Sequence, residues 1–311
     1  MRNTIFPRRK CLVPLTLLAF VLVAGAAWAA SAHSASVLAA DSAAPRAAPA
    51  LADASGLPPG ARLDLAVLRA AYPDAVAGME RGADGLLRLV LRDGTRLAYD
   101  DGKKRTPDEA EEHPDVRTML EQTYPLGPLD EAGAHPAPFF DPGRRRVTAF
   151  FKALYGRTEA EARKTCVNVP FDGHGALFNT RQGAAAALSR VAARIASQLP
   201  AHPEWGRALR PFGGTFCWRE IAGTDRLSAH SFGAAIDLNP HEPYWRWERR
   251  PETVPAKRLA FPPGIVAAFE AEGFVWGGKW ARFDLMHFEY RPELILKARV
   301  LRGEINLPGA R

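Results

Sequence analysis

Cysteine is scarce in this sequence of 311 residues, which contains only three. Cys11 belongs to a segment with the pattern of a cleaved export signal, so the mature chain keeps only Cys166 and Cys217. Two cysteines exclude a framework of several disulfides. Spacing alone cannot show whether two sulfurs meet, so a Cys166–Cys217 disulfide and two buried free thiols both remain open.

Net charge is also low once the first residues are set aside. The formal charge is +7, and four of the cations, with no acid among them, lie in the first ten residues. The remainder carries about +3, and we find no basis for a nucleic-acid partner. A mild positive balance suits an acidic polymer such as cell wall.

The first 29 residues predict a secretory signal peptide. Positive residues at the start precede an apolar run, Leu12–Ala26, and Ala27-Trp28-Ala29 is a small-x-small cleavage site. An uncleaved membrane anchor is the alternative, and it would be the chain's only membrane contact. Pro14 and the alanine-rich end favour cleavage, so we expect an exported protein, periplasmic or extracellular at the cell wall.

Three further segments follow the signal. Residues 30–60 are rich in Ala, Ser and Pro without an apolar period, which predicts a disordered linker. Residues 61–145 predict a small α/β unit followed by an extended connector over 106–146. The predicted elements of this unit are a helix at Leu63–Tyr72 and two strands, Leu86–Leu91 and Thr95–Tyr99, joined at Asp93-Gly94.

Residues 146–311 predict a second domain in which helices precede strands. Predicted helices are Val147–Tyr155, Glu159–Lys164, Gln182–Leu199 and Pro263–Glu272, and strand-like segments are Phe212–Glu220, Ser231–Leu238 and Gly273–Tyr290. This order favours an α+β fold over a doubly wound sheet. No internal repeat is present.

Two histidines and an aspartate in the strand-like region suggest a metal site. A catalytic zinc site uses three protein ligands and leaves a position open for water. His230 and Asp237 flank Gly233 and small alanines, and His287 lies in a second strand-like segment that could run beside the first. A carboxylate in an apolar strand must be paired or metal-bound, so Asp237 carries the strongest argument.

The segment Ser228–Asp237, SAHSFGAAID, resembles the S-x-H-x-x-G-x-A-x-D motif of the M15 zinc peptidases. This family includes D-alanyl-D-alanine carboxypeptidases and L-alanyl-D-glutamate endopeptidases. Asp284-Leu285-Met286-His287 is similar to the second motif, an acid three residues before the last histidine ligand. The resemblance covers roughly residues 145–295. It implies a small antiparallel sheet that carries one zinc ion and is flanked by helices, as in the hedgehog and D-Ala-D-Ala peptidase folds.

The resemblance also implies roles for particular residues. His230, Asp237 and His287 would be the metal ligands, and Asp284 would be the general base that acts on metal-activated water. A flat strand would place Asp284 and His287 on opposite faces, so a bulge or turn is needed between them. Glu289 shares the parity of His287 and is the rival base, unless it only supports the ligand.

Two more residues are candidates for substrate binding, and the first of them, Arg219, resembles an arginine that the family has just upstream of its first zinc motif. Arg219 would hold a substrate carboxylate or stabilise an oxyanion, and its alternative is a structural ion pair with an acid such as Asp225. Ser228 shares strand parity with His230 and would bind the substrate, or would simply form a turn. The aromatic residues Trp218, Tyr244, Trp245, Trp247, Trp276 and Trp280 would line a peptidoglycan groove or pack in the core.

Two functions of different classes remain. The first is a secreted zinc peptidase that hydrolyses peptidoglycan stem peptides, as a D-Ala-D-Ala carboxypeptidase or an L-Ala-D-Glu endopeptidase. The second is a non-catalytic zinc-containing module that binds cell wall. Retention of Asp284 together with all three ligands favours the enzyme.

Overall fold

The computed structural model describes residues 56–240 and 254–310, all within the unit formed by residues 50–311. The predicted signal peptide and nearly all of the predicted linker lie outside these residues and stay predictions. The helices are α1 Pro59–Ala71, α2 Pro107–Glu112, α3 Val116–Leu120, α4 Thr148–Tyr155, α5 Glu159–Lys164, α6 Ala184–Gln198, α7 Gly206–Leu209, α8 Val254–Ala260, α9 Pro263–Ala271 and α10 Pro292–Leu301. The strands are β1 Val76–Arg81, β2 Leu87–Leu91, β3 Arg96–Ala98, β4 Cys166–Phe171, β5 His174–Asn179, β6 Phe212–Gly214, β7 Ala235–Leu238, β8 Phe274–Trp276 and β9 His287–Tyr290.

The described strands form three small antiparallel sheets. Their orders are β1-β2-β3, β4-β5 and β6-β7-β9-β8. Helices lie between these sheets along the chain, so the predicted α+β class is confirmed. No described helix is long and apolar enough to cross a membrane.

The N-terminal segment contains more regular structure than the sequence predicts. The helix and both predicted strands are present, but β1 pairs with β2 and was not predicted. The connector over 106–146 also contains the short helices α2 and α3. Thr106 and Glu109 form a reciprocal capping box at α2, and Asp115 accepts a hydrogen bond from Thr118 N–H at α3. These caps stabilise single helical turns that are too short to show an apolar period.

One hydrophobic core joins the N-terminal segment to the rest of the described chain. It includes Leu65, Leu68 and Tyr72 of α1 together with Phe150 of α4 and Leu294 of α10. Tyr72 packs edge to face on Phe150, with ring centroids 5.5 Å apart. The division into domains at residue 145 stays a prediction.

Several elements of the C-terminal part differ from their predicted extent. The hairpin of β4 and β5 was not predicted, and neither was α10. The helix predicted from Gln182 begins at Ala184, because Gln182 and Gly183 have positive φ angles of 56° and 77°. The strand predicted from Ser231 begins at Ala235, and residues 229–232 form a 3₁₀ turn instead.

Cys166 carries a free thiol, so no disulfide joins it to Cys217. Its Sγ donates to the carbonyl oxygen of Ala162 at 3.2 Å, and burial raises its pKa to about 11. A half-buried thiol with a raised pKa is mostly protonated, and therefore poorly nucleophilic, at neutral pH.

Candidate metal centre

The sheet β6-β7-β9-β8 brings Asp237 and His287 together. β7 and β9 pair antiparallel, and Asp237 lies directly opposite His287. Directly paired residues in such a ladder project to the same face, with Cβ atoms about 4.5–5.5 Å apart. On the other side of Asp237, a Cβ at Gly213 would lie 2.7 Å from the Asp237 carbonyl oxygen. Only glycine therefore allows β6 to approach β7 so closely.

His230 is supplied by the 3₁₀ turn that precedes β7. Ser228 caps this turn, and its hydroxyl accepts a hydrogen bond from His230 N–H at 3.4 Å. Gly233 ends the turn at φ 61°, where a side chain is disfavoured, and a Cβ there would lie 2.8 Å from Cys166 Sγ. The glycine of the motif therefore allows both a tight turn and a close approach to another part of the chain.

The three predicted ligands converge on one point. Asp237 Oδ1 lies 3.1 Å from His230 Nε2 and 3.0 Å from His287 Nδ1. One donor atom from each residue lies within 4.8 Å of the other two. Both histidines are buried, and the Asp237 side chain is mostly buried.

The outer nitrogen of each imidazole has its own acceptor. His230 Nδ1 lies 2.5 Å from the carbonyl oxygen of Thr215, and His287 Nε2 lies 3.4 Å from Glu289 Oε2. With a proton on each outer nitrogen, the inner nitrogens are left with lone pairs for a metal. Two imidazoles and one carboxylate, each oriented in this way, fit the three-ligand set of a catalytic zinc ion.

The electrostatics of the group suit a cation. Burial alone would raise the pKa of Asp237, but the two imidazoles, His230 first, hold it well below its usual range. Burial alone would lower the pKa of His287, but hydrogen bonds to Asp237 and Glu289 overcome this effect and raise it to about 9. The carboxylates of Asp237 and Glu289 therefore stabilise a positive charge between them, at His287. A metal ion that binds there would displace protons.

Asp284 lies in the turn before β9, close enough to His287, Asp237 and His230 for their charges to affect its pKa. His287 N–H donates to the Asp284 carbonyl oxygen at 3.1 Å, so a turn joins the two residues, as their spacing requires. Gly277 permits this path, because a Cβ there would lie 2.6 Å from the Asp284 carbonyl oxygen. Asp284 Oδ1 is shielded from solvent and has no hydrogen-bond partner among the described residues. Burial raises the pKa of Asp284 to about 6, although the positive charge of His287 acts to lower it.

Both carboxylate oxygens of Glu289, the rival base, accept hydrogen bonds from other side chains. Its two carboxylate oxygens each accept from Arg146 at 2.8 Å, and Arg291 Nη1 lies 3.4 Å away. Burial alone would raise the pKa of Glu289, but Arg146, His287 and Arg291 lower it far below its usual range. A carboxylate in this setting is a poor proton acceptor and a good support for His287.

Arg219 and Ser228 adjoin the turn that carries His230. Arg219 N–H donates to Ser231 Oγ at 3.0 Å, and the Arg219 carbonyl oxygen accepts from Ser228 N–H at 3.0 Å. Arg219 is exposed. Within residues 56–240 and 254–310 its guanidinium forms no ion pair, so the alternative pairing with Asp225 is not found there. Ser228 is buried and lies in a turn, so the expected strand parity with His230 does not hold.

Two of the aromatic residues that were predicted to line a groove belong to the core. Trp276 and Trp280 are buried, and their indole N–H groups donate to the carbonyl oxygens of Leu285 and Pro142. Trp218 packs its edge on Phe232 with centroids 6.1 Å apart. Tyr244, Trp245 and Trp247 lie outside the described residues. The buried pair therefore supports the wall of the site, and the Trp280 ring lies 5.7 Å from the His287 ring.

Three contributors to the site were not predicted from the sequence. They are the Thr215 carbonyl oxygen, Arg146 on Glu289, and Arg144, whose guanidinium lies 5.6 Å from the centroid of the Trp280 ring. Arg144 Nε is buried without a hydrogen-bond partner among the described residues. The run Arg144-Arg145-Arg146 stands out in the sequence as a basic triplet, but nothing local to it indicates a metal site.

Comparison with known families agrees with the geometry. Residues 222–290 match the sequence model of a family described as D-alanyl-D-alanine carboxypeptidase. The matched range contains His230, Asp237, Asp284 and His287, and it supports an M15-type peptidase at the family level. The chain has no significant match among curated proteins or solved structures.

Proposed function

We propose that this protein is a secreted zinc-dependent peptidase that hydrolyses the stem peptides of peptidoglycan. One observation carries the proposal, the convergence of His230, Asp237 and His287 within reach of the charge of Asp284, whose Oδ1 has no hydrogen-bond partner among the described residues. A purely structural zinc site would be closed by a fourth protein ligand and would need no such acid. The family match over residues 222–290 supports peptide hydrolysis as the reaction.

In this proposal His230 Nε2, His287 Nδ1 and Asp237 Oδ1 hold one zinc ion per chain. When bound, the ion would supply Lewis-acid chemistry, polarising the scissile carbonyl group and lowering the pKa of water to about 7. The Thr215 carbonyl oxygen and Glu289 keep the two imidazoles in their ligating tautomers. In this way the protein itself orients both imidazoles toward the proposed ion.

Asp284 is the proposed proton carrier. It takes a proton from the attacking water and then donates it to the nitrogen of the leaving amine as the amide bond breaks. Its free Oδ1 allows this, since no protein donor competes for the oxygen among the described residues. Burial raises the pKa of Asp284 in the metal-free protein, which favours a carboxyl group that can both accept and return a proton.

Arg219 is the proposed substrate-binding cation, with Ser228 beside it. A guanidinium that is exposed and free of ion pairs within the described residues can receive a carboxylate of the stem peptide. A free C-terminal carboxylate would favour carboxypeptidase action on D-Ala-D-Ala. Endopeptidase action at L-Ala-D-Glu would need a groove open at both ends. Both remain within the proposal.

Digestion of purified peptidoglycan, with the released fragments identified by mass spectrometry, tests this function. Free D-alanine with shortened stems indicates a carboxypeptidase, and new D-Glu N-termini indicate an endopeptidase. Chelator-treated protein and Asp284→Asn are the matched controls, and both should release fragments at least about 100-fold more slowly than the untreated protein. If the untreated protein binds peptidoglycan and releases nothing, the non-catalytic binding module replaces the peptidase.

A further inference from the structure

The support of His287 begins with Glu289 on the same strand. Residues i and i+2 of a strand share a face, so Glu289 stands behind the imidazole of His287. His287 Nδ1 faces Asp237 at 3.0 Å, and His287 Nε2 faces Glu289 Oε2 at 3.4 Å. A metal on Nδ1 therefore requires a proton on Nε2, and Glu289 is the acceptor that stabilises this tautomer.

Glu289 is itself held by an arginine from outside the family-matched range. Arg146 Nε donates to Oε1 and Arg146 Nη2 donates to Oε2, both at 2.8 Å. This forked pairing fixes the plane of the carboxylate as well as its charge. The exposed fractions of the Arg146 and Glu289 side chains are 9% and 0%, so water does not compete for either group.

A network of buried charged and polar groups extends from Glu289 into the N-terminal segment. Arg291 contacts Glu289 Oε1, donates to the Gly143 carbonyl oxygen at 2.7 Å and pairs with Glu293. Tyr72 of α1 donates its hydroxyl to Glu293 Oε2 at 2.5 Å. Buried groups therefore connect α1, the connector and the ligand-bearing strand without a break.

We propose that Arg146 is a positioning residue of the metal centre. It holds both oxygens of Glu289, which keeps the acceptor for His287 Nε2–H in place and leaves Nδ1 available as a ligand. The connector before α4 therefore contributes to metal affinity, which gives residues outside 222–290 a role at the site. This inference rests on the proposed zinc centre.

Zinc affinity tests the assignment, because a residue needed only for folding would change stability and not affinity. The metal-free protein is titrated with zinc against a competing chelator, and thermal unfolding of the metal-free form is recorded in parallel. Arg146→Lys keeps the charge and loses the fork, and we expect its Kd for zinc to rise about 10- to 100-fold. Arg145→Lys is the matched control, since Arg145 pairs with the more exposed Glu121, and its Kd should stay within about twofold of wild type.

A double-mutant cycle with Glu289→Gln shows whether Arg146 acts through Glu289. We expect Glu289→Gln alone to weaken zinc binding, and the added Arg146→Lys to weaken it little further. Wild-type affinity in either single variant overturns the assignment, and so do multiplicative losses in the double variant. If wild-type protein binds no zinc, the proposed metal centre fails, and the assignment fails with it. If only the variants behave as wild type, the metal centre stands.

Discussion

Two clusters in the described chain each bring three ligand-type side chains within 4.8 Å, yet they differ in what surrounds them. In the first cluster, Asp100, Asp101 and Asp115, guanidinium groups neutralise the acids. Arg105 pairs with Asp101 and with Asp115, and Arg117 lies 3.3 Å from Asp100. In the second cluster, His230, Asp237 and His287, no arginine or lysine contacts the ligand atoms among the described residues.

The difference teaches how to separate a structural acid cluster from a metal centre. One carboxylate oxygen of Asp115 accepts from the Thr118 N–H of α3, and the other accepts from Arg105. The charge of Asp115 is therefore neutralised without a metal ion. Asp237 has only imidazoles as partners in the described chain, and their outer nitrogens are bound elsewhere. Donor atoms that face one another, with the outer nitrogen of each imidazole held by an acceptor, are typical of metal-binding histidines.

The largest expected effect comes from removing the shared carboxylate. Asp237→Ala should lose stoichiometric zinc and reduce peptide hydrolysis to background, because two imidazoles alone make a weak site. Asp100→Ala should keep about one zinc per chain. Metal analysis of both dialysed variants checks the contrast, and equal zinc content in the two would remove the distinction between the clusters.

Asp284→Asn should separate chemistry from metal binding. The amide keeps the shape of the side chain and cannot accept the proton, so we expect kcat to fall about 10²- to 10⁴-fold. Zinc content should stay at the wild-type level, since Asp284 lies outside the ligand set. Steady-state kinetics on a stem peptide, with metal analysis of the same sample, measures both. Wild-type kcat in this variant would assign the base elsewhere.

Arg219 contrasts with Arg105, whose guanidinium is occupied by two aspartates. If Arg219 binds a substrate carboxylate, Arg219→Ala should lower kcat/KM by about 10- to 100-fold, the effect of one charge-assisted hydrogen bond. Arg219→Lys should recover part of the loss. Kinetics on peptides with a free or amidated C-terminus show which carboxylate is recognised. An equal loss on both peptides would exclude the C-terminal one.

Asp115→Ala should have the smallest effect on function. It removes the cap of α3 and one partner of Arg105, so we expect the free energy of unfolding to fall by about 0.5–2 kcal/mol. Zinc affinity and kcat should not change, because the first cluster is structural. Chemical denaturation and zinc titration of the same variant give the two values. A loss of zinc affinity would connect the two clusters.

Much of the site could be predicted because its signals are local. Ser228–Asp237 carries its own cap, turn glycine and strand within ten residues, and the motif is recognisable from residue types alone. Helices α6 and α9 were predicted because the apolar period and Gly273 act over a few turns. The turn between Asp284 and His287 was required by their spacing, and the structure contains it.

The sequence by itself determined the proposed donor set and the proposed acid, since both lie in short motifs. Only the tertiary structure decided which acid is free and which is held. Asp284 and Glu289 are similar carboxylates five residues apart, but Arg146 reaches Glu289 across a sequence separation of 143 residues and leaves Asp284 Oδ1 unpartnered. Which of the two carboxylates is held by an arginine depends on long-range packing that buries the charges together, and no local sequence pattern encodes it.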